Sequence, residues 1–558
     1  MSTRNSHFRR TGSLRPRRTN FDLSYEKKLT CDMGMLVPIL CEEAVPHDTW
    51  RIGNEIVVRM QPMVAPILHE ITVYTHYFFV PYRLLWDRWE KFITGGKNGD
   101  NSDVLPRYNL DHGGYGPNSL WDYLGFPVSG WSPVTSPSPN IPLDFPRRAY
   151  NFIWDEYYRD QNLQSPQNPD PEDPDGEPTQ PPNSWGPNWR ILMRNWAKDY
   201  RTSALLDRQR GTAPALPISG ETNAVWSSNV INQFSQSGSP LILNRSGSPV
   251  PGNVGGNDVF GEATLSYAGS GGTHGALTTP MLSLNNNTVS FDNASTFDVS
   301  DLRLSFQIQK WMERNMRAGI RYTEFLRSHF GVSPSDTRLD RPEYMGGSRA
   351  PIIVSEVLQT SETTNNSPQA TMCGHGIVAS GGYIDTYHVE EYGLIMGIMS
   401  IMPRPCYEDG INRQWLRRSR FDFYFPEFAH LSEQAIFNVE VFPQGGNPLD
   451  GDGNPVVGGD LDIWGYQAVY DEMRVKNDMV VAEMRSSQPV GWPSLSHWHL
   501  SRFFDGLPNL NSDFITCNPD KRIFAVQNTH GFIVNVANNI RATRPLPPIG
   551  EPGLIDHF

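Results

Sequence analysis

One run of ten residues limits what this chain can become. Ile71 to Val80 reads ITVYTHYFFV and stops at Pro81. Nearly every side chain in it is β-branched or aromatic, the composition that fits a pleated surface. Both of its faces are apolar or aromatic, so the run predicts a central strand covered on both sides. The preceding run alternates instead: Ile56, Val58 and Met60 interleave with Glu55 and Arg59, a half-buried pattern. Further strand-like runs follow, separated by turn signals: PIIVSEVLQ, GYIDTYHV, GLIMGIMSIM, AIFNVEVF, KRIFAVQN and GFIVNVAN. Several short strands with long connections predict a mostly β fold, a sandwich or a jelly roll.

Helical spacing is rarer. LLWDRWEKFI places Leu85, Trp89 and Phe92/Ile93 on one side, a short helix resting on the sheet. Trp189 to Arg208 also reads as helix, with Ile191, Leu192, Trp196 and Tyr200 aligned. A third helix starts near Ser300, a plausible N-cap, with Leu304, Ile308, Trp311/Met312 and Met316 in one stripe. A fourth follows Gly319, carrying Tyr322, Phe325, Leu326 and Phe330, and Gly331 stops it. Stripes of this kind read as ordinary core.

Gly and Pro, 48 and 46 of 558 residues, exceed the usual share of roughly 12% and fit many turns. Two segments stand apart. Residues 98–183 are turn-rich and end in SPQNPDPEDPDGEPTQPPN, acidic and proline-rich, which predicts an exposed extended loop. A Pro-binding partner for it is conceivable but unsupported by sequence. Residues 211–297 are rich in Gly, Ser, Asn and Thr, with Arg245 the only basic residue. Pieces such as ATLSYAG and NTVSF hint at small strands there, and the length predicts an exposed excursion.

Charge is uneven. Residues 1–20 hold Arg4, Arg9, Arg10, Arg15, Arg17 and Arg18 and no acid, so of a net charge of −13 the remainder carries −19. A basic arm on an acidic body predicts one segment that meets nucleic-acid phosphate, with residues 21–558 as the folded domain. The five cysteines are scattered, without CxxC spacing, which implies neither disulfides nor zinc. Reduced thiols fit assembly in a cytoplasm. No signal peptide is visible, and the longest apolar run, Leu394 to Met402, is far short of the ~20 residues that span a bilayer. The chain reads as soluble, without membrane insertion.

A search for chemistry finds little. Gly374, Gly376 and Ala379 fit GxGxxA without a βαβ context. Asp450, Asp452 and Asn454 mimic the start of a calcium loop, but Pro455 and Leu461 break it. His497 and His499 would share one face of a strand with no third ligand in view. No P-loop or GxSxG occurs. The reading is of a non-enzyme without cofactor or metal.

The densest constellation is Asn412 to Ala435, NRQWLRRSRFDFYFPEFAHLSEQA. Arg413, Arg417, Arg418 and Arg420, with Arg404 upstream, stand beside Trp415, Phe421, Phe423, Tyr424, Phe425 and Phe428. Arginine with aromatics suits nucleic-acid binding, guanidinium on phosphate and ring on base. It equally suits a subunit interface, whose cores are enriched in these residues. The two types are segregated rather than interleaved, which favours the interface, with Arg413, Trp415, Arg417, Arg418, Arg420, Phe423 and Phe425 as candidates.

This segment resembles the signature of the major capsid protein of the Microviridae, in its gokushovirus-like branch. Others agree in order: YTEFLRSHFGVSPSDTRLDRPEYMGG (Tyr322 to Gly347), EYGLIMGIMSI (Glu391 to Ile401), WGYQAVYDEMRVK (Trp464 to Lys476), WHLSRFFDGLPNLNSDFI (Trp498 to Ile515) and PGLIDHF (Pro552 to Phe558). The resemblance spans most of the chain outside its low-complexity insertions. It implies one eight-stranded viral jelly roll with long loop insertions and several helices. It further implies pentamers that build the simplest icosahedral shell around circular single-stranded DNA in a bacterial cytoplasm. Implied partners are a small basic DNA-binding protein, a DNA pilot protein, an internal scaffolding protein and a host receptor. By position, 211–297 corresponds to the family's protrusion near the threefold axis. The competing class is a secreted or surface β-sandwich that binds or degrades glycans, against which the basic arm and absent secretion signal speak.

Overall fold

The frame is an antiparallel sandwich of β1 (Thr19–Asp22), β2 (Tyr25–Cys31), β3 (Val37–Ala44), β4 (Thr49–Met60), β5 (Ile71–Pro81), β6 (Glu343–Pro351), β7 (Ile353–Leu358), β8 (Met372–His388), β9 (Gly393–Pro403) and β10 (Phe532–Arg544). The computed structural model describes residues 17–95, 103–108, 116–129, 142–167, 190–211, 299–318, 321–333, 335–358, 372–445, 459–485 and 495–549, with short strands inside 221–290. In one sheet β1 and β2 lie end to end along β10, followed by β4, β8 and β7. The other sheet runs β6, β5, β9, β3. The longest ladders are β10 on β4, Phe532↔Met60 to Thr543↔Thr49, and β9 on β5, Gly393↔Pro81 to Pro403↔Ile71.

Strand periodicity fixes which side chains meet. On β4, Trp50, Ile52, Ile56, Val58 and Met60 point inward, alternating with Arg51, Glu55 and Arg59 outside. They face Val73, Tyr77 and Phe79 of β5 and Ile395, Met399 and Ile401 of β9 across the main core. The other face of the second sheet is also covered. Phe78, Val80, Leu394, Met396 and Ile398 pack under Phe145, Ala149, Tyr150 and Ile153 of α1 (Phe145–Ile153) and under Trp121. The ITVYTHYFFV run is therefore central and buried on both faces, as its composition requires. At Gly397 of β9 an added Cβ would stand 2.7 Å from the Tyr77 ring. Gly397→Ala is expected to lower stability by about 1–3 kcal/mol through overpacking, read as a lowered denaturant midpoint with unchanged slope.

α2 (Val299–Ala318) and α3 (Tyr322–Phe330) are helical, and Gly331 closes α3 at φ 70°. Residues Gly211–Glu313 form a separate compact unit. It begins where the composition shifts and continues into α2. ATLSYA and TVS are strands there: Ala263–Ala268 pairs with Ile242–Arg245 and His274–Ala276, and Thr288–Ser290 with Glu221–Asn223.

Several expectations fail for definable reasons. Residues 190–208 are not a helix. Their backbone bonds go to other segments, Leu36 N to Leu192 O, Arg194 N to Gly34 O and Trp196 N to Ile515 O. Leu192, Trp196 and Tyr200 are four apart, an even spacing that fits an extended chain as well as a helix. The α2 stripe is not all core, since Met316 is buried while Leu304 and Trp311 stand exposed. Region 98–183 is not one exposed loop: Trp121, Phe145, Tyr150 and Ile153 are buried on the second sheet. Its acidic end, from 168 onward, lies outside the described residues. AIFNVEVF is a strand only over Glu433–Phe437 and then turns as helix at Asn438–Val441. KRIFAVQN forms no named strand, though Ile523 and Phe524 enter the main core from turns.

Candidate subunit interface

The Asn412 to Ala435 segment folds as three short 3-10 turns, Arg413–Trp415, Arg420–Asp422 and Pro426–Phe428. Its sequence dictates this. Asn412 accepts from Gln414 N, and Ser419 accepts from Phe421 N. The Asp422 carboxylate accepts from Arg418 N and Ser419 N, both at 2.8 Å. Those bonds hold the exposed Asp422 carboxyl below its ordinary range. Pro426 starts the third turn, a position where its missing N–H costs nothing.

Two of the arginines are drawn to carboxylates of the body, and all four lie against rings. Arg413 Nη1 donates to Glu440 Oε1 at 2.8 Å and to the Ala435 carbonyl at 2.6 Å, with its guanidinium over the Phe437 ring. Arg417 stands 3.7 Å from Glu472 and over Phe423. Arg418 lies against Phe437, and Arg420 against Phe421. Upstream, Arg404 pairs with Asp478 at 2.7 Å. Glu440 is buried and also accepts from Tyr200 Oη at 2.9 Å and Phe437 N at 3.0 Å. Burial pushes its carboxyl up, and the Arg413 charge opposes the shift without cancelling it.

The rings, in contrast, face outward. Trp415 is 76% exposed, Phe423 53% and Phe425 43%, with Phe421, Tyr424 and Leu431 also exposed. Lys476 Nζ donates to Gln414 Oε1 at 3.2 Å, which ties in a neighbouring strip where Met473, Val475, Met479 and Val481 are exposed. Arg413 and Arg417 thus hold the segment to the body through Glu440 and Glu472, while Arg418 and Arg420 are exposed among the rings. Exposed apolar side chains clustered in one segment are of the kind found at protein contacts. The anchors Glu440 and Glu472 were missed in the sequence, because nothing in NVEV or YDEMR says which distant arginine each carboxylate meets.

Other sequence candidates are dispersed. Arg18 precedes β1 and donates to Thr49 Oγ1 at 2.7 Å and to the Thr543 carbonyl, while Arg17 is exposed. Thr19 already opens the first strand, so the folded domain starts inside the 1–20 arm. Arg4, Arg9, Arg10 and Arg15 lie outside the described residues, as do Asp450, Asp452 and Asn454. Gly374, Gly376 and Ala379 sit within β8 with no following helix. His497 lies in a 3-10 turn and bonds the Arg522 carbonyl, so the two histidines share no strand face. Buried His499 has Nε2 on the Met484 carbonyl and Nδ1 on Ser501, whose hydroxyl donates to Glu408. A serine bridging both partners deep in the fold has no access to a substrate. Among the described residues no three His, Cys, Asp or Glu side chains gather to hold a metal. Among them too, no helix is long and apolar enough to cross a membrane.

The class this fold defines is an antiparallel β-sandwich protein with an exposed aromatic face. The comparisons say which. A phage family model described as "Capsid protein (F protein)" matches residues 11–554. The "Capsid protein VP1" of Chlamydia phage 1 is 33% identical, with 96% of each chain covered. That of Bdellovibrio phage phiMH2K is 30% identical over 100% of this chain and 99% of the relative. That of Spiroplasma virus 4 is 28% identical over 94% and 93%. The chain belongs to this phage capsid protein family. It is a structural capsid subunit, part of the virion, and not an enzyme.

Proposed function

We propose that this subunit assembles through pentamers into an icosahedral shell that encloses a circular single-stranded DNA genome. The observation that carries the reading is the outward aromatic surface of 412–431, where Arg413 and Arg417 pair with the subunit's own Glu440 and Glu472. A surface built this way is suited to another copy of the chain rather than to nucleic acid. Strand order supports an eight-stranded jelly roll. With β1 and β2 counted as one strand and β7 as an addition, the sheets run first–eighth–third–sixth and second–seventh–fourth–fifth, two interleaved Greek keys. Closing the sandwich this way leaves few strand edges for uncontrolled pairing. The 211–297 insertion contributes to host attachment. Assembly takes place in the bacterial cytoplasm with an internal scaffolding protein, and a DNA pilot protein and a small basic protein complete the particle. The test is sedimentation after co-expression with scaffold. Large particles holding nuclease-protected single-stranded DNA are expected, and a monomer under every condition would refute the reading.

The arm contacts phosphate without regard to sequence. Replacing Arg4, Arg9, Arg10, Arg15, Arg17 and Arg18 with serine is expected to reduce DNA retained per particle and to flatten its salt dependence. Unchanged retention would remove the arm from the packaging contact.

A further inference from the structure

Of the outer edges of the two sheets, the described residues leave one bare. A strand edge presents unpaired N–H and C=O groups, which proteins blunt with charge, proline, bulges or covering side chains. β3 is largely buried, and the Lys27 and Asn538 side chains take its Pro38 and Ile39 carbonyls, both at 3.0 Å. β6 has an exposed Arg349, a bulge between Tyr344 and Gly346 and a terminal Pro351. The edge made by β1 and β2 breaks between Asp22 and Tyr25 and carries Lys27 and Lys28. β7, IVSEVL, has no lysine, no proline, an unshifted register against β8 and one charge, Glu356. Among the described residues its backbone bonds only to β8. Ile353, Ser355 and Val357 point outward beside Ile377, His375 and Cys373 of β8, and all of these are exposed. Val354, on the other face, packs partly on the main core. An apolar, unpaired edge of this kind is a template for another strand.

A capsid subunit meets other copies of itself, and the bare sheet edge that a second copy offers is again β7, since its other edges are blunted too. A strand paired antiparallel with itself requires a two-fold axis normal to the sheet, which keeps each residue on its own face. Two registers give the longest overlap, one centred on Ser355 and one on Glu356. The second sets Glu356 against its own copy, like charges directly opposite, which is unfavourable. The first sets Ile353 against Val357 on the outward face, apolar on apolar. It places Ser355, small and uncharged, opposite itself at the axis, and Val354 opposite Glu356 on the other face. We propose that β7 pairs with β7 of a second copy in the Ser355-centred register, joining the first sheets of two subunits into one. The pairing satisfies the open N–H and C=O groups of the edge and covers Ile353, which is 70% exposed in the lone subunit. The inference rests on the chain being a capsid subunit, and on neither the pentamers nor the DNA.

The test is a register-specific disulfide in assembled particles. Facing Cα atoms of an antiparallel pair stand about 5 Å apart, within disulfide reach. Ser355→Cys, made together with Cys373→Ser to remove the exposed native thiol of β8, is expected to give mostly covalent dimers on mild oxidation, released by reductant. Val357→Cys in the same background is the control. It faces Ile353 of the second copy, and its own mate lies about 13 Å away along the strands. It is expected to link roughly tenfold less, and adding Ile353→Cys is expected to restore the dimers. Hydrogen exchange of the unaltered chain needs no substitution: amides of 353–358 are expected to exchange about tenfold more slowly in particles than in dissociated subunits. Sedimentation reports shell formation separately, and where no shell forms the same oxidation is read on the concentrated soluble subunit. Monomers alone from Ser355→Cys, or equal linking by Val357→Cys, would overturn the proposal. So would protected amides without dimers, which would assign the edge to a different strand, and unprotected amides, which would leave it unpaired.

Discussion

Replacing Asp144 with alanine is expected to destabilise the subunit by roughly 3–5 kcal/mol, the cost of breaking a buried ion pair on one side. Asp144 is 4% exposed, and Arg147 and Arg148 are 6% and 7% exposed. Arg147 grips both carboxylate oxygens, at 2.7 and 2.6 Å, and Arg148 Nε reaches Oδ2 at 3.1 Å while its Nη1 donates to the Leu85 carbonyl. The alanine variant would leave two buried guanidinium groups short of their carboxylate, in the first turn of the helix that covers the second sheet. Burial by itself would raise the Asp144 carboxyl, but the two arginines outweigh it and hold it below the usual range. The pH dependence follows in sign. A depressed folded-state pKa adds stability that is fully present above the unfolded value near ~3.9 and lost as pH falls through the lower folded value. Denaturant unfolding should therefore show a wild-type advantage over Asp144→Asn at neutral pH that shrinks only below about pH 4. An equal gap at every pH would mean the charge is not what matters.

The second large effect falls on assembly and spares the fold. A variant with Trp415, Phe423 and Phe425 all changed to alanine is expected to give folded subunits and no shells. Truncating a central interface ring costs about 2–4 kcal/mol per contact, some 30- to 1000-fold in affinity, and a closed lattice repeats that loss at every contact. In the lone subunit the rings are largely exposed, so removing them should change its stability by no more than about 0.5 kcal/mol each. Particle yield by sedimentation beside unfolding of the soluble subunit reads both quantities. Normal yield would dismiss the surface as an interface. Arg413→Ala should behave oppositely, because it strips the partner from buried Glu440 and so weakens the subunit itself.

Much of this was legible in the sequence because the signals are local. Ile71–Val80 has two apolar faces and only a strand between two layers satisfies both. Alternation through Ile56, Val58 and Met60 fixed the inward face of β4, Gly331 ended α3, and Ser419 with Asp422 capped a turn, all within a few residues. What needed the tertiary structure depends on partners far along the chain. The Leu192–Trp196–Tyr200 spacing fits helix and extended chain alike, and bonds to Gly34, Leu36 and Ile515 settle it as extended. The stretch holding Phe145 and Tyr150 looked like exposed loop until the second sheet supplied an apolar face to cover. Arginine beside aromatic rings suits both nucleic acid and subunit contact, and segregation of the two types along the sequence favoured the second. The structure draws Arg413 and Arg417 to Glu440 and Glu472 and leaves Trp415, Phe423 and Phe425 exposed, because a buried carboxylate needs its counter-charge.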